Sequence, residues 1–141
     1  MFILNKKKKH IILYTNREIL SLVKEEKPDL IAIDAPFGFP KRGWWRDSDA
    51  ALIKAGFRPL SSKLPSMQPL VRRAMKLLQS LKGYKVIEVF PRATEKVLKL
   101  KKPAKMNQHV YDAMLCALTG KYYLEDRYKA IGKEKIIIPK L

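Results

Sequence analysis

The chain has 141 residues, of which 47% are hydrophobic, a size and composition typical of one globular domain with its own core. No stretch approaches the roughly 18 apolar residues of a membrane span. The first apolar residues precede a lysine run, which is the reverse of the order in a secretory signal. The composition therefore predicts a single domain over 1–141, in a soluble cytoplasmic protein with no membrane partner.

The strongest compositional signal is charge. Thirty Lys and Arg against 13 Asp and Glu give a formal net charge of +17. These basic residues are spread along the chain, at 6–9, 41–46, 72–76, 92–105 and 127–135. Such an excess attracts polyanions, so we expect nucleic acid as a partner. The alternative is a lysine-rich surface that serves thermal stability or solubility.

Apolar runs and breaker residues predict the elements of the first half. The segments on either side of the lysines at 6–9 are predicted to be strands joined by a basic turn, the second strand being Ile11–Thr15. Helical spacing predicts a helix over Arg17–Glu26, with Asn16 as N-cap and Pro28 beyond its end. The segment 29–34, "DLIAID", is predicted to be a buried strand. Residues 41–69 are predicted to be irregular, except for a short helix over 47–55 that ends at Gly56.

The second half continues the alternation. The pattern predicts an amphipathic helix over 69–81, a strand over 84–90, a short helix over 93–100 and a basic loop over 101–105. A helix is then predicted over 107–118, with Gly120 as its C-terminal cap, followed by a last strand over 136–138. Strands that alternate with helices are typical of a layered α/β domain with a partly parallel sheet.

Three carboxylates occupy unusual positions in this pattern. Asp34 closes one apolar strand and Glu88 lies near the end of another, where ligands of open α/β sheets collect. Asp112 lies in an apolar helix, with Gln108 and Cys116 on the same face. If the two strands are neighbours, Asp34 and Glu88 converge, and Asp112 can join them if its helix turns that face to the sheet.

Clustered carboxylates repel one another, and a divalent cation such as Mg²⁺ or Mn²⁺ relieves that repulsion. Two such ions held by Asp34, Glu88 and Asp112 would support phosphodiester hydrolysis by a metal-activated water. Ordinary alternatives stay open. Asp34 can accept hydrogen bonds from its loop, Glu88 can pair with Arg92, and Asp112 can be exposed.

Four blocks carry a family resemblance: "LIAIDAPFGFP", "RDSDAALIKAGFRPL", "VIEVFPRA" and "YDAMLCALTG". In this order, over roughly residues 10–141, they resemble the predicted nucleases of the ribonuclease H fold known as domain of unknown function 429. The resemblance implies an α/β fold with a ribonuclease H-like mixed sheet flanked by helices. It also implies that Asp34, Glu88 and Asp112 stand at the acidic motif positions of a metal-dependent nuclease.

The chain departs from the family in its first strand. The family begins with a strand that carries a metal-binding aspartate, whereas residues 1–15 contain no acidic residue. Either the N-terminal strand is missing from this chain or this member has lost its aspartate. A partner chain or the segment Met1–Leu4 would then have to take the place of that strand.

A basic and aromatic cluster is the main candidate for substrate binding. Trp44 and Trp45 lie beside Lys41, Arg42 and Arg46, a combination that stacks unpaired bases and holds phosphates. The alternative is that the tryptophans cover the edge of the core. Arg92 is a candidate for phosphate binding or for a structural ion pair.

The histidines and the cysteine are weaker candidates. His109 precedes Asp112 by three residues and is a candidate second-shell or general-base partner, although a surface or structural histidine is the simpler expectation. Cys116 is the only cysteine, which excludes an intrachain disulfide, and the apolar pattern around it predicts a buried structural thiol.

The leading hypothesis is a Mg²⁺- or Mn²⁺-dependent nuclease. Two alternatives remain: a non-catalytic nucleic-acid-binding module of the same fold, and an enzyme acting on a small phosphorylated substrate held by Arg46 and Arg92. No P-loop, dinucleotide fingerprint or nucleophile elbow is present in the sequence. A homo-oligomer remains open.

Overall fold

A computed structural model of the chain describes residues 2–3 and 9–141. Its strands are β1 (Phe2–Ile3), β2 (Lys9–His10), β3 (Ile31–Ile33), β4 (Val86–Glu88), β5 (Tyr128–Ile131) and β6 (Ile136–Pro139). Its helices are α1 (Asn16–Glu26), α2 (Asp47–Lys54), α3 (Gln68–Ser80), α4 (Pro91–Val97) and α5 (Gln108–Leu124). The predicted α/β class is confirmed. In the described part of the chain, no helix is long and apolar enough to cross a membrane.

The central strands are parallel neighbours. β3 pairs with β4 in parallel, and Ile33 lies opposite Glu88. A parallel bridge between Val89 and Ile137 joins the end of β4 to β6, and β5 pairs with β6 in the antiparallel direction. The order across these strands is therefore β3-β4-β6-β5, while β1 and β2 form an antiparallel pair. Because β3 and β4 run in the same direction, Asp34 and Glu88 lie at the same edge of the sheet.

Helices cover both faces of the sheet. On one face, Val23 of α1 and Leu77 of α3 form a buried cluster, against which Ile31 and Ile33 of β3 pack. On the other face, Cys116 of α5 packs with strand residues of β4 and β6, and the alternate β3 residues Leu30 and Ala32 join this cluster. β3 is therefore apolar on both faces, as expected for a parallel strand between two helical layers.

The N-terminal elements differ from their predicted bounds. The second strand is β2, Lys9–His10, and it ends where the strand predicted over Ile11–Thr15 was to begin. The N-cap of α1 is Thr15 and not Asn16, because the Thr15 hydroxyl accepts a hydrogen bond from the Glu18 N–H at 3.1 Å. Threonine and asparagine both serve as N-caps, so their order in the sequence alone does not decide which one does.

The predicted end of the last helix is wrong. α5 continues to Leu124, and Gly120 lies buried inside it. A Cβ atom at Gly120 would lie 3.3 Å from Cδ2 of Leu30, so this glycine lets α5 approach β3 closely. A glycine near a helix end predicts a cap only when no neighbouring element needs the space that a side chain would fill.

A hairpin that the sequence analysis missed supports α2. β5 and β6 are joined by a turn whose backbone meets the start of α2: Lys133 N–H donates to Asp47, and Glu134 N–H donates to Ser48 Oγ at 3.0 Å. In return, the Glu134 carboxylate accepts from the Ser48 N–H and hydroxyl. A carboxylate at a helix N-terminus also complements the helix dipole. The hairpin therefore holds the first turn of α2, and with it the neighbouring Arg46.

This docking predicts the effect of a substitution at Gly132. The residue has φ +71°, and a Cβ atom there would overlap Ser48. We expect Gly132→Ala to lower the free energy of unfolding by about 2 kcal/mol, through backbone strain and loss of the hairpin contact. Gly43→Ala is the matched control, since Gly43 has φ +66° but open space around it. Urea unfolding of both variants tests this, and equal losses would contradict the proposed contact with α2.

Candidate functional site

A buried ion cluster lies beneath the edge of the sheet where β3 and β4 end. Arg46, in the loop before α2, donates to both carboxylate oxygens of Glu88, at 2.6 and 3.0 Å. The same guanidinium donates to both oxygens of Asp49, at 2.8 and 2.9 Å. Arg46 is 4% exposed, Asp49 2% and Glu88 5%. One planar cation thus holds two carboxylates in bidentate geometry inside the protein.

This cluster fixes Glu88 in a structural role. The Phe37 N–H also donates to Glu88 at 3.2 Å, which ties the loop after β3 to the end of β4. Burial raises the pKa of the Glu88 carboxyl, and the hydrogen bonds from Arg46 act in the opposite direction. Its oxygens already receive three hydrogen bonds, so Glu88 is not a free metal ligand here. The predicted substrate-binding role of Arg46 does not fit this buried, fully paired guanidinium.

Asp112 belongs to a second, more open ion pair. Arg92, in the first turn of α4, donates to Asp112 and, at 3.1 Å, to Glu95. Gln108 donates to Asp112 at 2.9 Å, as their spacing on one helix face suggested. The side chains of Arg92 and Asp112 are 43% and 26% exposed. The alternative that Glu88 pairs with Arg92 is therefore wrong, because Glu88 binds Arg46 and Arg92 binds Asp112.

Of the three predicted metal ligands, Asp34 is the one whose carboxylate has no hydrogen-bond partner in residues 2–3 and 9–141. It directly follows β3. The residue opens to solvent through a cleft, yet protein surrounds it closely enough to displace much of its hydration. This desolvation raises the pKa of Asp34 to about 6, with the nearby Asp112 adding to the rise and Arg92 opposing it. An unpaired acid with a raised pKa in a cleft is a candidate functional group.

A cavity of about 320 Å³ lies next to Asp34, and we call it the site pocket. Arg58 and Arg92 line it together with Asp34, and Phe90, Leu60 and Leu70 supply apolar walls. Sequence reasoning did not single out Arg58, although it lies in the quoted block "RDSDAALIKAGFRPL". The pocket combines two exposed arginines with a free carboxylate, an arrangement suited to a phosphate group beside a reactive centre.

The three predicted metal ligands do not form one set. In residues 2–3 and 9–141, no group of three or more His, Cys, Asp or Glu side chains is placed to hold a metal ion. Asp112 still lies near enough to Asp34 for its charge to raise the pKa of Asp34. The metal site predicted at Asp34, Glu88 and Asp112 therefore stays a prediction.

The remaining candidates occupy the surface, with one exception. Trp44 and Trp45 are 46% and 36% exposed, and the Trp44 carbonyl accepts a hydrogen bond from Ser61. Exposed side chains also include Lys41, Arg42, His10 and His109. The surface position expected for His109 is confirmed, and a role of the tryptophans in stacking bases stays a prediction. Cys116 is buried, as predicted, and burial raises the pKa of its thiol.

Comparison with protein-family models, with curated proteins and with solved structures finds no match to this chain. The resemblance to the predicted nuclease family therefore stays a prediction.

The buried cluster predicts a large cost for losing Arg46. Arg46→Ala leaves the carboxylates of Glu88 and Asp49 buried without their cation, so we expect the free energy of unfolding to fall by about 3–5 kcal/mol. Arg42→Ala, at an exposed arginine of the same loop, should change it by no more than about 0.5 kcal/mol. Adding Glu88→Gln to Arg46→Ala should recover part of the loss. Chemical denaturation measures all three, and similar values for the two arginine variants would refute the cluster's structural role.

The raised pKa of Asp34 predicts a stabilising substitution. The folded-state pKa of about 6 exceeds the ordinary aspartate pKa of 3.8, so the contribution of Asp34 to stability is complete below pH 3.8 and is lost as pH rises through 6. Asp34→Asn should thus raise the free energy of unfolding at pH 7 by about 1 kcal/mol, a figure reduced for solvent screening of an exposed group. Near pH 4 the gain should vanish.

Unfolding curves at several pH values test this prediction, with the exposed Asp126→Asn as control. A loss of stability in Asp34→Asn at pH 7 would show that Asp34 is an ordinary structural acid.

Proposed function

We propose that the chain is a nuclease that uses one divalent cation, Mg²⁺ or Mn²⁺, at Asp34 and Asp112. The observation that carries this proposal is the unpaired carboxylate of Asp34, whose pKa is raised to about 6 at the edge of a pocket lined by arginines. An ionised group that lacks a partner destabilises the fold, so its presence is better explained by function than by structure. Phosphodiester hydrolysis is the chemistry that such a carboxylate and the surrounding positive charge would serve.

The donor set suits a single cation. Mg²⁺ prefers oxygen ligands, and in enzymes it is bound through one or two carboxylates together with waters and substrate phosphates. Asp34 and Asp112 supply the two carboxylates, while Glu88 stays bound to Arg46. When bound, the cation would offset the repulsion between the two aspartates and polarise a phosphate oxygen.

The chain's own residues have separate tasks in this proposal. Arg58 and Arg92 line the site pocket and can hold the phosphate that is cleaved. Arg92 also orients Asp112 through their ion pair. The formal charge of +17 provides long-range attraction for a nucleic-acid backbone, which raises the rate of encounter. The exposed Trp44 and Trp45 would stack unpaired bases beside these cations.

The finer fold proposal is a ribonuclease H-like sheet. It is supported by the parallel pairing of β3 with β4, by acidic residues at the ends of both strands, and by α5, which brings Asp112 towards them. The small extent of the paired strands supports only the α/β class by itself.

A second candidate is nucleic-acid binding without cleavage. The buried ion pair between Glu88 and Arg46 favours this second candidate, because Glu88 is then not available as the third metal ligand. The basic surface would serve either function.

Calorimetric titration of Mn²⁺ separates the two candidates. We expect wild-type protein and the control Asp126→Asn to bind Mn²⁺, and Asp34→Asn to lose about 1–2 powers of ten in affinity with the loss of one carboxylate ligand. The same samples should cleave labelled nucleic acid only where Mn²⁺ binds. Absence of Mn²⁺ binding to the wild type would remove the nuclease proposal.

Binding of nucleic acid itself is tested by its salt dependence. If the protein neutralises several phosphates, the logarithm of the association constant should fall linearly with the logarithm of salt concentration, with a slope of about −0.7 per contact for single strands. Arg58→Ala should weaken binding and make this slope shallower by about one contact. A slope near zero would contradict both candidates and favour a small phosphorylated substrate.

A further inference from the structure

The site pocket is lined largely by apolar residues, although charged groups lie beside it. Its apolar lining includes Leu52, Leu60, Met67, Leu70 and Phe90. A phosphate group is strongly hydrated and gains nothing from such walls, so a phosphate at Arg58 and Arg92 leaves them without a function. Ligand pockets in proteins are typically apolar, with a small number of polar groups that fix the orientation of the ligand. The pocket therefore fits a ligand that joins an apolar body to an anionic group.

Two leucines of this lining are exposed to solvent. Leu60 is 59% exposed and Leu70 is 41% exposed. Leu60 is held in place, because its neighbours Pro59 and Ser61 are buried. The Ser61 hydroxyl also donates to the Trp44 carbonyl at 2.6 Å, which fixes the backbone next to Leu60. An apolar side chain that is held in contact with water gains free energy from a ligand that covers it.

Exposed cations lie at the pocket and beside it. Arg58 and Arg92 line it, and both are exposed. Lys96 follows Arg92 by four residues on α4, so the two side chains lie on one face of the helix, where like charges repel each other. The Lys96 ammonium lies 5.1 Å from the centre of the Phe57 ring, and Phe57 packs edge-on against Phe90 of the pocket wall. A ligand with more than one phosphate would relieve the repulsion between Arg92 and Lys96.

The size of the pocket limits what can enter it. Its volume of about 320 Å³ is at the small end of the range of roughly 300–1,000 Å³ for ligand pockets, so it has room for one ring system and not for a row of stacked bases. A second phosphate, held at Lys96, requires a ligand that continues beyond the pocket. A base that is paired and stacked in a duplex cannot enter a concave pocket until it is unpaired, which costs free energy.

We propose that the site pocket holds one unpaired base of a nucleic acid, so that the substrate class of this site is single-stranded nucleic acid. The base covers Leu60 and packs against Phe90. Arg58 and Arg92 bind the phosphate beside this base, and Lys96 binds the next phosphate. The inference rests on the proposed function, since it takes the site pocket as the place where nucleic acid binds, and it adds which form of nucleic acid the pocket accepts.

Fluorescence anisotropy in the absence of divalent cations tests this preference, because binding is then measured without cleavage. The probes are DNA and RNA strands of about 12 nucleotides, each unpaired and as a blunt duplex with its complement. Charge alone favours the duplex, which has the higher density of phosphates. We expect the reverse: for DNA, for RNA or for both, the unpaired strand should bind at least about tenfold more tightly than its duplex.

A leucine variant tests whether the pocket is the origin of the preference. Leu60→Ala should weaken binding of the unpaired strand by at least about threefold and leave binding of the duplex unchanged, because only an unpaired base covers this side chain. Leu124→Ala is the matched control, since Leu124 is also an exposed leucine, at 57%, but lies at the end of α5 outside the pocket lining. It should leave binding of both probes unchanged.

Addition of Mn²⁺ to the same probes separates this inference from the nuclease proposal. A preference for the unpaired strand that depends on Leu60, without any cleavage, supports the base pocket and removes the nuclease. Cleavage of strand and duplex at equal rates supports the nuclease and overturns the base pocket. Equal affinity for strand and duplex, or a preference that Leu60→Ala leaves unchanged, also overturns it.

Discussion

The buried guanidinium of Arg46 is the interaction on which the rest of the site depends. A cation at 4% exposure is stable only if its charge is matched, and Glu88 and Asp49 match it with four hydrogen bonds between them. Glu88 lies at the end of β4 and Asp49 lies in α2. Arg46 is the residue directly before α2. The cluster thus joins the central sheet to α2, and the β5–β6 hairpin secures that helix from the other side.

This constraint divides the acidic residues into two kinds. Glu88 is fully occupied by Arg46 and by the Phe37 N–H, so it maintains the shape of the edge where β3 and β4 end. Asp112 is held by Arg92 at a more exposed position, and Asp34 is left without a hydrogen bond in the described part of the chain. The hydrogen bonds to Glu88 therefore also tie the loop after Asp34 to the end of β4. A rigid frame around one unpaired carboxylate is the arrangement expected of a binding or reactive centre.

Much of the frame could be predicted from the sequence, because it depends on local patterns. The apolar run at 29–34, bounded by Pro28 and Pro36, indicated β3, and helical spacing indicated α1 and α3 within one or two residues. The position of Asp34 and Glu88 at one edge followed from two parallel strands. Gly120 was misjudged because its role depends on β3, a partner distant in the sequence.

The partners of the charged groups could not be predicted in this way. Arg46 and Glu88 are 42 residues apart, and their contact depends on where the hairpin places α2. Arg92 is four residues from Glu88, which made it the nearer candidate, but a helix begins at Pro91 and turns Arg92 towards Asp112. Tertiary packing therefore determines which arginine binds each carboxylate. It also determines that Asp34 accepts no hydrogen bond in the described part of the chain.

The most direct test of this division is a carbon-detected NMR titration of the side-chain carboxyl groups of Asp34 and Glu88, without and with Mg²⁺. The account predicts that the Asp34 carboxyl titrates near pH 6 without the cation, and that Mg²⁺ shifts its resonance while it leaves that of Glu88 unchanged. A midpoint at or below 3.8 for Asp34, or a response to Mg²⁺ at Glu88 in place of Asp34, would contradict it.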